Sequence, residues 1–286
     1  MRIDLHTHST ASDGTFSPSD LVRAAAAAGL AVVALTDHDT SGGWAEAAEA
    51  RPAGLALVRG AELSCRYSGG AGDPISLHLL AYLFDPTEPA LRAERARVRA
   101  SRLRRAERMV DMLQADSTEI TWEQVLAIAG GGTVGRPHIG QALIEAGYVA
   151  NQGAAYRPEW IGTHGRYWVA KEDMDVLAAI GLVRGAGGVP VFAHPRASRR
   201  GRIVDDTAIA EMADAGLAGL EIDHTDHTAD ERRQLHDLAD RHGLLTTGSS
   251  DFHGTRKIVR LGAHVTAPAA YQALVAQATG SAVLTG

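Results

Sequence analysis

With 286 residues the chain is long enough to bury a full core, as one large domain or as a domain with an insertion. Its 45% apolar and 22% charged residues are those of an ordinary soluble globular protein, and the net charge of −6 excludes a strongly basic nucleic-acid-coating protein while leaving room for a small anionic substrate. The lone Cys65 excludes an intramolecular disulfide. MRIDLHTH at the N-terminus lacks a signal peptide's apolar stretch and no apolar run is long enough for a bilayer, so a cytoplasmic protein with no membrane contact is expected.

The first predicted strand, residues 3–6, runs into His6-Thr7-His8, with Asp13 just beyond. Ser17-Pro18-Ser19-Asp20 then caps a helix over residues 21–28, and Gly29 ends it. A buried strand over 31–35 leads to Thr36-Asp37-His38-Asp39. A third over 55–58 runs on to Gly60-Ala61-Glu62, and a fourth over 75–83 carries His78. Residues 88 to about 162 read as mostly helical, with no convincing strand. From residue 172 helices alternate with strands at 189–193, 219–222 and 244–248. The first of these is followed by His194-Pro195 and the last by Ser249-Ser250-Asp251-Phe252-His253. Repeated strand–helix units predict a mainly parallel α/β barrel-like core, residues 1–85 and 166–286, interrupted by a helical insertion, residues 86–165.

The histidines and key acids gather just after strands. In parallel α/β folds the carboxyl ends of strands share one face, so residues distant in sequence converge there. Residues i and i+2 of an extended segment point the same way, so His6 with His8, and Asp251 with His253, each aim two groups at one place. Imidazoles and carboxylates together suit Zn, Mn or Fe at bonds of ~2.0–2.2 Å. One His-x-His is weak evidence. Five such clusters, each behind a strand, are strong evidence for a metal centre.

The ordered set His6-Thr7-His8, Asp13-Gly14, Thr36-Asp37-His38, Gly60-Ala61-Glu62, His78, Ala193-His194-Pro195 and Ser250-Asp251-Phe252-His253 resembles the polymerase and histidinol phosphatase (PHP) family of metal-dependent phosphoesterases. The resemblance implies a distorted (β/α)7 barrel holding two or three divalent ions, Mn first among Mn, Fe, Zn and Mg. It implies three ligand groups: His6, His8, Glu62 and Asp251; Glu62 again with His78 and His194; and Asp13, His38 and His253.

Gly135-Arg136-Pro137-His138, within the insertion, resembles the subgroup of nucleoside 3′,5′-bisphosphate phosphatases, including the ribonuclease AM type. That resemblance implies cleavage of a 3′-phosphoester with the 5′-phosphate used for recognition, on a free nucleotide or on short single-stranded RNA, with no obligate protein partner. Arg136 is suited to a phosphate because its guanidinium matches phosphate oxygens bidentately. His138 is expected to donate to a phosphate or to protonate the leaving oxygen. Glu221 and His227 match a subgroup pattern and are expected at the substrate, with His227 also catalytic; His224 is read as a loop residue. Asp37 and Asp39 are expected to orient ligand imidazoles.

The arginine-rich segment from Arg92 to Arg108 is read as a solvated helix face paired with Glu94 and Glu107, an RNA-tracking surface being the sharper alternative. Tyr156, Trp160, Tyr167 and Trp168 are candidates for stacking on a base, and Cys65 is read as buried and inert. A histidinol-phosphate or other small phosphomonoester phosphatase is the rival of the same chemistry. A non-catalytic PHP module that binds a polymerase is the rival of another class.

Overall fold

A computed structural model of the chain describes residues 1–69 and 72–286. In order the elements are β1 (Ile3–Asp4), α1 (Pro18–Ala27), β2 (Val32–Leu35), α2 (Trp44–Ala50), β3 (Ala56–Tyr67) and β4 (Ile75–Tyr82). Next come α3 (Pro89–Ala115), α4 (Trp122–Ala129), α5 (Arg136–Glu145), α6 (Gln152–Ala155), β5 (Met174–Asp175) and α7 (Val176–Gly185). The chain finishes with β6 (Val189–Phe192), α8 (Asp206–Asp214), β7 (Gly219–Asp223), α9 (Ala229–His242), β8 (Leu245–Gly248) and α10 (Pro268–Gln277). Among the described residues no helix is long and apolar enough to cross a membrane.

The strands form one sheet in the order β1-β2-β3-β4-β6-β7-β8, with β5 added beside β3. The sheet curls into a nearly closed barrel, as the distorted (β/α)7 expectation requires. The Thr7–Phe252 bridge joins its two ends, and His8 N–H donates to Phe252 O at 2.9 Å. Asp4 fastens the same seam from inside: its carboxylate accepts from the backbone of Ser250 at 3.0 Å and Gly262 at 2.8 Å. The barrel interior is filled by Ile3, Leu5, Val32, Ala34, Val58, Leu80, Val189 and Val191. Leu21, Val22, Leu57, Leu63, Ile180 and Leu220 pack between sheet and outer helices. Each such side chain contributes roughly 1.5–3 kcal/mol by leaving water.

One strand departs from the parallel expectation. β4 runs antiparallel to both β3 and β6. β3 is also far longer than residues 55–58, because its second half pairs with β4 as a ribbon. Gly60 sits at the start of that ribbon, where a Cβ would lie 2.9 Å from Ala81 O. A residue type that reads as a break in sequence is what this close approach requires. β1 is shorter than expected, since residues 5–8 already lead out to the site. The first helix starts earlier, at Pro18, with Ser17 Oγ accepting from Asp20 N.

Helices α3 to α6 lie between β4 and β5 and share an apolar cluster that includes Met109, Leu113, Val125, Ile139, Leu143 and Ile161. The solvated-face reading of the arginine-rich helix is corrected in part: Arg92, Arg104 and Arg108 are exposed, but the buried face of α3 includes Arg95, Arg102 and Arg105 among Leu91, Val98, Ala106, Met109, Val110 and Leu113. Arg95 donates to Ser41 Oγ and to Pro86 O, Arg102 to Asp39, and Arg105 to Val169 O. The Arg97–Glu94 pair does form, and Leu103 on the same helix is 43% exposed.

Candidate metal centre

The loops that leave β1, β2, β6 and β8 carry His6 and His8, His38, His194, and Asp251 with His253, while Glu62 lies in mid-β3. His78 joins them from inside a strand. Because β4 runs the opposite way, its residue 78 pairs with Ser64, two residues past Glu62, at the level where parallel strands end. Three non-glycine residues here adopt left-handed backbone: Asp39 (φ 55°), His194 (φ 32°) and Asp251 (φ 52°). Such conformations cost energy and persist where packing over-determines them.

Glu62 is the hub, buried and facing five imidazoles. Its Oε2 is 3.2 Å from His6 Nε2, 3.1 Å from His8 Nε2 and 3.2 Å from His38 Nδ1. Its Oε1 is 2.7 Å from His78 Nδ1 and 3.1 Å from His194 Nε2. Asp251 Oδ1 lies 3.5 Å from His6 Nε2 and 3.4 Å from His8 Nε2. Asp13 lies 3.4 Å from His253 Nε2 and 3.8 Å from His38 Nε2.

These atoms fall into three sets able to hold a metal ion: His6, His8, Glu62 and Asp251; His38, Glu62 and His78; and His8, Asp13, His38 and His253. The His38 ring straddles two sets, one nitrogen facing Glu62 and the other Asp13, whereas His194 meets the centre through Glu62. The donor chemistry fits two or three divalent ions. Separations of 3.0–3.5 Å within the first set are the edges of a ligand shell around a cation with bonds of about 2.0–2.2 Å. Buried His38 Nδ1, His78 Nδ1 and Asp251 Oδ1 have no hydrogen-bond partner among the described residues, as atoms reserved for a metal would.

The electrostatics of these groups agree. Burial disfavours charge on Glu62, yet His78, His38 and His6 hold its carboxyl well below the usual range. Burial likewise opposes ionisation of Asp251, and Lys257, Arg200 and His253 overcome it. Burial pushes the His6 imidazole down, but Glu62, Glu221 and Asp251 outweigh it and hold it well above the ordinary value. Without metal the centre therefore takes up protons on His6, in competition with any cation.

Several residues expected at the substrate make other contacts in this structure. Glu221 is fully buried beside the ligands. Its Oε1 accepts from His6 Nδ1 at 3.0 Å and from Ser249, and its Oε2 accepts from His194 N at 2.9 Å. His227 is committed to backbone: Nδ1 donates to Ile222 O at 2.8 Å and Nε2 accepts from Arg196 N at 3.1 Å. Both of its ring nitrogens are thus engaged by backbone groups. His138 is buried, and its Nδ1 accepts from Gly135 N at 3.0 Å. Burial, with Arg256 nearby, pushes its pKa down to about 4. Arg136 Nη1 donates to Ile161 O and Thr163 Oγ1. Asp37 accepts from Ser9 and from Ser12, whose Oγ in turn meets His8 Nδ1 at 3.4 Å, so it reaches a ligand imidazole through Ser12, whereas Asp39 accepts from Ser64 and Arg102.

Two residues at the site, Arg200 and Lys257, escape the sequence, and a third, His224, reads there as a loop residue. Arg200 and Lys257 donate to Asp251 Oδ2 at 2.7 and 2.6 Å. The unpartnered His224 Nε2 lies 3.6 Å from the same oxygen. His224 follows β7, the kind of position the ligands hold. Arg200 and Lys257 sit in loops without any local signal.

A family model described as "PHP domain" matches residues 4–113. The chain is 34% identical to a "3',5'-nucleoside bisphosphate phosphatase" of Chromobacterium violaceum, over 88% of this chain and 87% of that protein. It is 34% identical to a "5'-3' exoribonuclease" of Haemophilus influenzae, over 88% and 90%. Among solved structures, a Bifidobacterium adolescentis protein proposed to be a metal-dependent phosphoesterase superposes with a TM-score of 0.88 at 35% identity, covering 97% of this chain and 96% of its own.

Proposed function

The chain belongs to the PHP family of metal-dependent phosphoesterases, and from that membership we propose that it removes the 3′-phosphate of nucleoside 3′,5′-bisphosphates. Short 5′-phosphorylated RNA, shortened from its 5′ end one nucleotide at a time, is the second substrate. The observation that carries this reading is three metal-binding groups sharing residues, with Arg200 and Lys257 held beside them by Asp251. Arg136, on the insertion, is the candidate to meet a second phosphate. The activities named for the two relatives, at 34% identity over most of each chain, support it. In this reading the working metal is Mn, the compartment is the cytoplasm and no protein partner is needed.

Divalent ions held by the three ligand sets supply Lewis-acid polarisation of the phosphoester and acidify water. The residues supply the rest. Glu62 belongs to two sets and would be a ligand common to both, and Glu221 fixes the His6 ring through Nδ1 so that Nε2 faces the centre. Asp251 divides its work: Oδ1 faces His6 and His8, and Oδ2 keeps Arg200 and Lys257 beside the reacting group. Both cations are about one-third exposed, so their remaining donors are free to meet charge growing on the phosphoryl oxygens.

Phosphate release in the presence of Mn tests the proposal with adenosine 3′,5′-bisphosphate, 3′-AMP, 5′-AMP and histidinol phosphate. A preference for the bisphosphate supports it. A preference for histidinol phosphate would keep the centre and overturn the substrate. Bound metal without turnover of any of the four would favour a partner-binding role.

A further inference from the structure

One edge of β3 has a gap in its strand pairing at the level of the metal centre. There β3 pairs with β2 up to Arg59, meets His38 in a bridge at Glu62, and pairs with β5 only from Cys65. A side chain from the loop after β2 fills the gap. Asp39 Oδ1 accepts from Ser64 N at 2.7 Å, and its Oδ2 accepts from Ser64 Oγ at 2.8 Å. Its own backbone N–H donates to Glu62 O at 3.0 Å. Asp39 thus grips β3 on both sides of Leu63. It follows His38 directly, and Ser64 pairs with His78 across the ribbon.

The fully buried Asp39 is held in turn by the insertion. Arg102 on α3 donates from Nε to Asp39 Oδ2 at 2.7 Å and from Nη2 to Ser64 Oγ. One turn earlier Arg99 Nη1 donates to Asp39 O at 3.2 Å. A buried carboxylate that loses its cation is strongly unfavourable. Asp39 also holds a left-handed backbone (φ 55°), which persists only where its surroundings fix it. The residues tied together in this way, His38, Glu62 and His78, are one of the three ligand sets. His6, His8 and Asp251, which complete another set with Glu62, stand on the loops after β1 and β8. Among the described residues none of these three hydrogen-bonds or pairs with a residue of α3.

We infer that Arg102 is a positioning residue for one metal ion: acting through Asp39, it fixes the set His38, Glu62 and His78. The insertion is then a working part of the metal centre at that set, while His6, His8 and Asp251 are placed by the barrel. The inference rests on the metal centre of the proposed function and holds whatever the substrate.

The test is metal content, measured by mass spectrometry after dialysis against a series of buffered free Mn concentrations, on proteins shown to be folded by circular dichroism. The chains compared are the wild type, Arg102→Met, Arg102→Lys, His78→Ala, Arg102→Met combined with His78→Ala, and Leu113→Ala. The wild type should hold at least two ions. Arg102→Met should need about tenfold more free Mn, or more, to keep one of them, with the other within about twofold. His78→Ala should lose that same ion, so the combined variant should hold no fewer ions than His78→Ala alone. Arg102→Lys keeps a charge opposite Asp39 but cannot bond Ser64 as well, and should fall between; if Arg102→Met fails to fold, Arg102→Lys decides. Leu113→Ala loosens the same helix inside the apolar cluster of the insertion, and should keep the wild-type content. An equal loss in Leu113→Ala would reduce Arg102 to a general structural role and overturn the inference. So would wild-type content in Arg102→Met, or a further ion lost in the combined variant. Fewer than two ions on the wild type would overturn the ligand sets themselves. Failure to hydrolyse the bisphosphate, with the metal losses as expected, would overturn the substrate and leave the role of Arg102 standing.

Discussion

Glu221→Gln separates a residue that touches substrate from one that holds ligands. In the structure Glu221 serves two metal-centre residues at once, accepting from the His6 ring at 3.0 Å and from the His194 backbone at 2.9 Å. Glutamine is nearly the same size but keeps only one acceptor oxygen. Its amide NH2 must then face either His6 Nδ1–H or His194 N–H, donor against donor. Loss of such an outer partner costs about 10–100-fold in metal affinity or activity, which corresponds to roughly 1.4–2.7 kcal/mol. Mn affinity, measured by competition with a chelator, should fall by that factor. At saturating Mn the KM for adenosine 3′,5′-bisphosphate should stay within about twofold, because no Glu221 oxygen reaches the cleft. The refuting result is the reverse: Mn affinity intact and KM raised tenfold, which would return Glu221 to the substrate.

Glu62→Gln removes the charge that five imidazoles share, so metal content after dialysis should fall for both sets that contain it and phosphate release should nearly vanish; full metal content with activity would refute the ligand assignment. Arg102→Met leaves Asp39 buried without its partner and should destabilise the protein by about 3–5 kcal/mol in urea melts, a loss that Arg102→Met with Asp39→Asn should partly recover. His138 titrates near 4 when folded, below its usual 6.5, so the unfolded chain takes the proton first and stability falls as pH drops from 6.5 to 4. The effect is about 3 kcal/mol over that window, and comparison of chelator-treated wild type with His138→Gln in melts across it should show a flatter profile for the variant. Mn present at 100 times its dissociation constant should stabilise the folded protein by about 2.7 kcal/mol, read as a rise in Tm that EDTA reverses.

Sequence alone was enough for the strand–helix alternation and for the clusters behind the strands. Both are local: apolar runs of strand length, and His-x-His or Asp-x-His spacing on extended backbone, are set by residues a few positions apart. The long helical insertion was legible for the same reason. What sequence could not carry was direction and partnership. The antiparallel course of β4, which brings His78 to the level of Glu62, depends on which neighbours accept its hydrogen bonds. Glu221 lies in β7 and His227 just after it, and packing turns them to His6 and to backbone. On α3 the hydropathy of arginine argued for solvent, and tertiary structure buried Arg95, Arg102 and Arg105 because Asp39 and the carbonyls of Pro86 and Val169 await them 60 or so residues away or at the helix start. Local sequence sets what a segment can form. Only the assembled chain decides which charge meets which, because a buried charge is tolerable only where a distant partner answers it.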